Sequence, residues 1–345
     1  MHRTENGVDI HGILERGGIA SFFQPIVSVK KKSVIGFEAL SRGIDGAGGL
    51  LPPQALFEAA AAEGRTRDLD RLCRRKAFES FGALKNDPDR YILTINIDPS
   101  ILDEGTVGSN HLRDLAQSLG MQPGKVLIEI IESRIRDMEA LKKFVSLYRE
   151  YGFLVALDDI GAGMSNLDRI SIIKPDILKI DKSLVQSAAG QYHSSEIVKS
   201  LVALAHRIGS LVIAEGVETA NEAVIALELG VDMLQGYYFA QPGPRMEEFM
   251  DGIDEKIEAV AASFKERTVQ RINSKKFLHR SYNQIINVAL SELFNLTWLV
   301  LRSNEISDLS SLSRLTNLTE LDLSDNQITD VSPISGLNNL KWRLD

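Results

Sequence analysis

The chain has a single cysteine, Cys73, in 345 residues, so no intramolecular disulfide holds it together and a reducing compartment suits it. No run reaches the ~18 apolar residues of a membrane span. The opening MHRTENGVDIHGILERGG has no apolar core of the kind a secretory signal needs. Positive charge is also short: 39 Lys and Arg against 47 Asp and Glu leave a formal net charge of −8. A binder of nucleic-acid polymers needs a basic face, so that class is excluded. A small anionic ligand remains compatible, because a few arginines or metals reverse the sign locally. These absences lead us to expect a soluble cytoplasmic protein. What is present is ordinary globular composition, 44% hydrophobic and 25% charged, at a length that suits one barrel-sized domain plus a smaller addition.

Short β-like runs alternate with helical patterns. Strands are expected at FFQPIVSV (22–29), VIGFEAL (34–40), ILTINI (92–97), KVLIEII (125–131), FLVALDD (153–159), DILKID (176–181), LVIAEG (211–216) and LQGYYF (234–239). Helical segments fill most of the gaps, and three of them run into a glycine, Gly152, Gly209 or Gly230, as a C-terminal cap would. Strand–helix alternation with apolar strands indicates a parallel sheet, and eight strands indicate a closed (β/α)8 barrel of the TIM type. Only KKKS separates the first two runs, too little for a parallel crossover. Those two strands are therefore expected to be antiparallel.

From Met246 the pattern changes. Met246, Phe249, Ile253, Ile257, Val260 and Phe264 mark one face of a helix, expected to cover the barrel or pair between protomers. A second helical patch is expected at NQIINVALSEL (283–293). Then Leu296, Leu299, Leu301, Asn304, Ile306 and Leu309 recur 22 positions later as Leu318, Leu321, Leu323, Asn326, Ile328 and Val331. This L-x-x-L-x-L-x-x-N-x-I pattern resembles the leucine-rich repeat family over about 295–340. Leu340 opens a third turn that KWRLD does not continue. Two turns cannot bury their own core, so they must lean on the preceding helices or belong to a longer array. Asn304 and Asn326 are expected to bond backbone between turns. Trp298, Val300, Arg302, Glu320, Asp322 and Ser324 are expected to face outward, where Trp298 and Val300 offer a protein-partner surface. The expected division is 1–245 barrel, 246–294 helical connector and 295–345 repeat tail.

The strand ends carry the chemistry. In a (β/α) barrel, groups at the C-terminal ends of strands converge on one mouth. Here they are Glu38, Asn96, Glu129, the pair Asp158 and Asp159, Lys179, Glu215 and Gln235. Each alone has a dull explanation, but unrelated surface residues have no reason to recur at the same end of nearly every strand. So many convergent carboxylates repel one another unless a cation sits among them. The six histidines, His2, His11, His111, His193, His206 and His279, lie away from these ends. An all-oxygen set points to Mg2+ or Mn2+ rather than zinc. Adjacent aspartates and a nearby lysine suit two-metal activation of water against a phosphodiester. The same groups also suit enolase-type proton abstraction by a lysine.

A resemblance decides between these. FEALSR (37–42) with QPIV before it, TINIDP, IEIIES, LDDIGAGMSNL, LKIDKSLV, IAEGVET and LQGYYFAQP resemble, in order, the motifs of the EAL family of cyclic di-GMP phosphodiesterases over about 20–245. The resemblance implies a modified barrel and hydrolysis of cyclic di-GMP to linear pGpG with two Mg2+ or Mn2+ ions. It implies Glu38, Asn96, Glu129, Asp158, Asp159 and Glu215 as metal ligands, Lys179 and Gln235 as contacts of the attacking water, and Gln24, Leu40 and Arg42 as contacts of the dinucleotide. Glu132 matches an acid that steadies the loop after Asp159, Glu218 serves as support, and a homodimer is implied. Against the family's usual DDFGTGYSSL, this loop carries Ile160, Ala162, Met164 and Asn166, and Ile131 replaces a frequent threonine. Those departures leave open a second reading, a cyclic di-GMP receptor with little or no turnover and a protein-interaction tail.

Overall fold

The computed structural model describes residues 8–82, 90–97, 111–131, 137–162, 167–273, 277–279 and 295–344. The apolar runs become strands β1 (Ile19–Ser28), β2 (Ser33–Ile44), β3 (Leu50–Leu51), β4 (Ile92–Ile97), β5 (Val126–Ile131), β6 (Leu154–Ile160), β7 (Ile177–Ile180), β8 (Leu211–Ala214) and β9 (Met233–Gln235). Strands β2 and β4 to β9 pair in sequence order and in parallel, while β1 runs antiparallel to both β2 and β9 and closes the ring. The result is a closed eight-strand barrel with one reversed strand, as the short KKKS link requires. The two-residue β3 pairs with the end of β2.

Around the strands lie α1 (Ile10–Arg16), α2 (Pro53–Ala62), α3 (Thr66–Gly82) and the crossover helices, each anchored by an apolar stripe. Gly152, Gly209 and Gly230 adopt φ of +88°, +86° and +97°. Their N–H groups donate to carbonyls of the last helical turn, those of Arg149, His206 and Leu227. Glycine takes this left-handed conformation without a side-chain penalty, so it ends the helix cleanly.

One expected strand is shorter than its sequence implied. β9 stops at Gln235, and Gly236 to Phe239 turn instead of extending. The cause is close backbone contact: a Cβ at Gly236 would stand 2.1 Å from Val217 O. The helix Glu247–Asn273 follows. Ile253, Ile257 and Val260 on its inner face are fully buried, and Lys256 Nζ donates to Phe239 O at 2.9 Å, so this part covers the barrel.

The chain divides into two compact units, 1–261 and 262–345. In the second, β10 (Phe277–His279), β11 (Trp298–Val300), β12 (Glu320–Asp322) and β13 (Lys341–Arg343) form a parallel sheet. The third turn therefore does continue, against expectation. Its strand pairs at a spacing of 21 residues (Glu320 with Lys341), one fewer than the 22 between Trp298 and Glu320, so the fixed-period pattern missed it. The earlier β10 pairs with the same shortened spacing, Phe277 with Trp298. Leu296, Leu299, Leu301, Leu318, Leu321 and Leu323 pack one core with Ile306, Leu309, Leu312 and Leu315. Asn326 does bond between turns: its Nδ2 donates to Leu301 O and Leu323 O, and its Oδ1 accepts from Ile306 N–H. Asn304 Nδ2 donates to Leu301 O and Arg302 O within its own turn. Ser324, expected to face outward, is buried because its hydroxyl folds back onto Asp322. The patch 283–293 lies outside the described residues. Among the described residues, no helix is long and apolar enough to cross a membrane.

Candidate metal centre

The barrel interior is layered by the period of two that any strand imposes. One apolar layer consists of Ile26, Leu127, Ala156, Ile177, Ile213 and Met233. Two residues further along each parallel strand stand Glu129, Asp158, Lys179, Glu215 and Gln235; on the reversed β1 the partner is Gln24, two residues before Ile26. Each chemical group is thus the next inward position above a plug of hydrocarbon. That placement explains the burial: Glu129 is 0% exposed, Lys179 1%, Gln235 3%, Glu38 7% and Asp158 9%.

Both adjacent aspartates reach this layer because β6 is bulged. Leu157 pairs with Leu178 and Ile160 with Ile180, so Asp158 and Asp159 together oppose the single residue Lys179. A bulge of this kind breaks the in–out alternation and re-aims a side chain. Asp159 supplies the bend with φ of +61°, a left-handed conformation that aspartate tolerates better than most residues.

Lys179 Nζ lies at the centre. It contacts carboxylate oxygens of Glu129 and Glu215, and stands 3.3 Å from Glu38 Oε2 and 3.7 Å from Asp158 Oδ1. Glu38 is fixed from two further sides, by Asn96 Nδ2 at 2.9 Å and Gln235 Nε2 at 2.7 Å. Gln235 Nε2 also donates to Gln24 Oε1 at 3.1 Å, and Gln24 Nε2 donates to Ala240 O. The loop after β8 is stitched onto β9 by Val217 N–H to Gln235 O, which fixes Glu215 relative to Gln235. Directly behind it, Thr219 and Glu222 form a capping box that starts the next helix.

One ammonium does not balance this set. Two unit charges roughly 4 Å apart interact with about 4 kcal/mol at an effective dielectric of about 20. Three buried carboxylates and the partly buried Glu215 around one lysine therefore leave strong net repulsion. Burial, and then the carboxylates of Glu215, Glu38 and Asp159, push Asp158 well above the usual carboxylate range. Burial raises Glu215 as well, and Lys179 offsets this only in part. Glu38 ends below its ordinary value: burial acts to raise it, but Lys179, Gln235 and Asn96 outweigh that. Lys179 itself is raised, since Glu215 and Glu38 overcome the effect of burial.

The donor set fits divalent cations. Glu129 Oε2, Asp158 Oδ1 and Gln235 Oε1 are buried oxygens that accept no hydrogen bond. Ligand oxygens of Glu38, Glu129 and Glu215 lie within 4.8 Å of one another, and so do those of Asp158, Asp159 and Glu215. Two oxygen triads sharing Glu215 match hard cations that prefer carboxylates. Leu40 and Arg42 lie further along β2; the Arg42 guanidinium stacks 5.6 Å above the Phe22 ring. Glu218 pairs with Lys182 at the rim. Glu132 and the loop residues Met164 and Asn166 lie outside the described residues.

Sequence reasoning missed what adjoins this centre. A cavity of about 660 Å3 runs from Glu38, Leu40 and Asn96 to Pro53 and Phe57 of α2 and to Asp70, Cys73 and Arg74 of α3. Asp70 and Arg74 are 2% and 6% exposed and form an ion pair one helical turn apart. Their signal was present, as opposite charges at i and i+4 on the stripe that also carries Leu69, Cys73 and Phe78. Burial pushes the Cys73 thiol up to about 12, so it is a wall of the cavity and not a nucleophile.

A closed barrel whose strand ends hold an acidic, cation-accepting centre defines the class. The chain belongs to the EAL domain family, which matches residues 9–242; leucine-rich repeats in two copies match 294–339. It is 30% identical over 250 residues to the probable cyclic di-GMP phosphodiesterase PdeB of Escherichia coli K12, covering 72% of this chain and 46% of PdeB. The structure of Klebsiella pneumoniae BlrP1 with manganese and cyclic di-GMP is similar at 33% identity and TM-score 0.60, covering 66% of this chain and 56% of that one. Bacillus subtilis YkuI in complex with cyclic di-GMP and calcium is similar at 26% identity and TM-score 0.67, covering 77% and 66%. The chain spans about half the length of the curated relatives it matches.

Proposed function

We propose that this chain hydrolyses one phosphodiester bond of cyclic di-GMP to give linear pGpG. The observation that carries the reading is the pair of oxygen triads that share Glu215 around Lys179. Glu38, Asn96, Glu129, Asp158, Asp159 and Glu215 would hold two divalent ions, Mg2+ or Mn2+. Such ions neutralise developing phosphoryl charge and make water acidic enough to attack at neutral pH. Lys179 directs its ammonium at the region between the two triads, where it orients the incoming water and offsets negative charge. Gln235 braces Glu38 and Gln24 at once, so one amide keeps two strands in register with the reacting centre. The apolar layer below keeps bulk water out of the barrel.

The cavity beside Glu38 has room and lining for a base, with apolar walls such as Leu40, Phe57 and Ile95 and polar groups such as Ser41, Gln54, Asn96 and the Asp70–Arg74 pair. Leu40 and Arg42 stand on the strand that leads from the centre along this cavity, in keeping with contact to the dinucleotide. Glu132 is assigned to steadying the loop after Asp159, and Glu218 to a supporting role. A homodimer, a cytoplasmic location and the division at 245 and 294 complete the proposal.

Incubating the purified chain with cyclic di-GMP and Mn2+ tests it, with products separated by chromatography. Accumulation of pGpG is expected. Dinucleotide that binds yet stays intact over hours establishes the receptor reading instead, and no binding at all defeats both.

A further inference from the structure

The turn that follows β9 is tied to the metal centre at both of its ends. At its start, Gln235 Nε2 donates to Glu38 Oε2 at 2.7 Å and to Gln24 Oε1 at 3.1 Å. At its finish, Ala240 O accepts from Gln24 Nε2 at 3.1 Å. Between them, Val217 N–H donates to Gln235 O at 3.0 Å and Tyr238 N–H to Val217 O at 2.9 Å. Val217 stands two residues after Glu215. Residues 235–240 therefore hold two acids of one oxygen triad, Glu38 directly and Glu215 through its loop.

Lys256 clamps this turn from outside. Phe239 is 2% exposed, and among the described residues no backbone N–H donates to its carbonyl. Lys256 Nζ does so at 2.9 Å and also lies 5.9 Å from the centre of the Tyr238 ring, within reach of a cation–π attraction. The helix Glu247–Asn273 delivers this lysine, anchored by the buried Ile253, Ile257 and Val260. The clamp thus comes from outside residues 9–242, the stretch shared with the EAL domain family. Without the ammonium a buried carbonyl is left unpaired, which costs more than the bond itself contributes. The turn relieves that cost by opening to water, and Gln235 and Val217 move with it.

We propose that Lys256 is a positioning residue of the metal centre: by holding the 236–240 turn it keeps Glu38 and Glu215 at the spacing a divalent ion requires. This deepens the hydrolytic reading and rests on it.

The test compares the full chain with Lys256→Met, which keeps the hydrocarbon stem but not the donor, and with Lys256→Arg, which restores a donor. Mn2+ is titrated without dinucleotide, and free Mn2+ is read by electron paramagnetic resonance. Affinity should fall about tenfold in Lys256→Met, the lower end of what loss of a supporting partner costs a metal site, and recover in Lys256→Arg. Hydrogen exchange in chelator should be faster at 236–240 in Lys256→Met, and raising Mn2+ should recover most of its turnover. If Lys256→Met does not fold, Lys256→Gln, with its shorter side chain, is read in the same way. Unchanged Mn2+ affinity, even with a lowered melting temperature, overturns the proposal, and so does unchanged exchange at 236–240. Failure of the unaltered chain to bind Mn2+ defeats the hydrolytic reading and this proposal with it, whereas failure in the variants alone leaves that reading standing.

Discussion

The barrel and the repeat tail are both built from short parallel strands with leucine- and isoleucine-rich inner faces, yet only one of them makes a reactive centre. In the barrel the sheet closes, so equivalent positions on eight strands point at a common axis. Polar groups there accumulate at one place, with Lys179 among Glu38, Glu129, Asp158 and Glu215. In the tail the sheet stays open, and equivalent positions lie in a row. Trp298, Glu320 and Lys341 stand side by side, each beside the next, and do not converge on one point. Closure turns a repeated strand into a point of high charge density, whereas stacking turns it into a surface. The same interior position carries a buried charge in one unit and leucine in the other.

Substitutions on either side sharpen that contrast. The largest expected effect is from Glu38→Ala, which removes an acid common to the Lys179, Asn96 and Gln235 contacts. Turnover of cyclic di-GMP should fall by at least the order of 10² to 10³ that loss of one transition-state contact costs elsewhere; undiminished turnover would overturn the site. Next comes Lys179→Met. It leaves buried carboxylates without their cation, so the chelator-treated protein should lose about 3–5 kcal/mol of stability. Mn2+ should restore more of the melting temperature in this variant than in the parent, because the ions then supply the missing charge. An unchanged melting curve in chelator means that the buried cluster is not held by Lys179.

On the other side, Leu321→Ala should cost the tail about 2–4 kcal/mol, as a buried leucine lost from a packed core does, and leave turnover within about twofold of the parent. Hydrogen exchange resolved along the chain checks this, and slower turnover in that variant breaks the separation of the two units. The smallest effect is expected from Arg302→Ala. Its pair with Asp325 at 3.0 Å is more than half exposed on both partners, which limits the change to about 0.5 kcal/mol. A larger loss in chemical denaturation means that surface charge does more in the tail than its exposure allows.

Much of this contrast was legible in the residues themselves. Eight apolar runs, a four-residue link and acids at strand ends suffice for a barrel with one reversed strand. The logic is local, since each strand needs only its own period of two to put Glu129 above Leu127 or Glu215 above Ile213. What stayed hidden depends on pairing between distant segments. Nothing in VALDDI says that β6 will bulge against Lys179, because a bulge is a mismatch between two strands and not a property of one. Asp70 and Arg74 were readable as a helical pair, but their nearness to Glu38 arises only when α3 packs on the barrel. The tail's third turn escaped because Leu340 keeps the 22-residue spacing from Leu318, while the strand after it starts one residue early and pairs Glu320 with Lys341 at a spacing of 21. Solenoid packing tolerates that slip, while a fixed-period pattern does not.

Glu215 belongs to both oxygen triads. A carboxylate has only two oxygens, so the geometry with which it serves one neighbour limits what it offers the other. If both triads take ions as proposed, the two occupancies would be linked thermodynamically, and a calorimetric titration should show two steps of unequal affinity rather than a single isotherm for independent sites. Half-loaded protein then becomes a distinct chemical species, whose abundance depends on the free cation concentration.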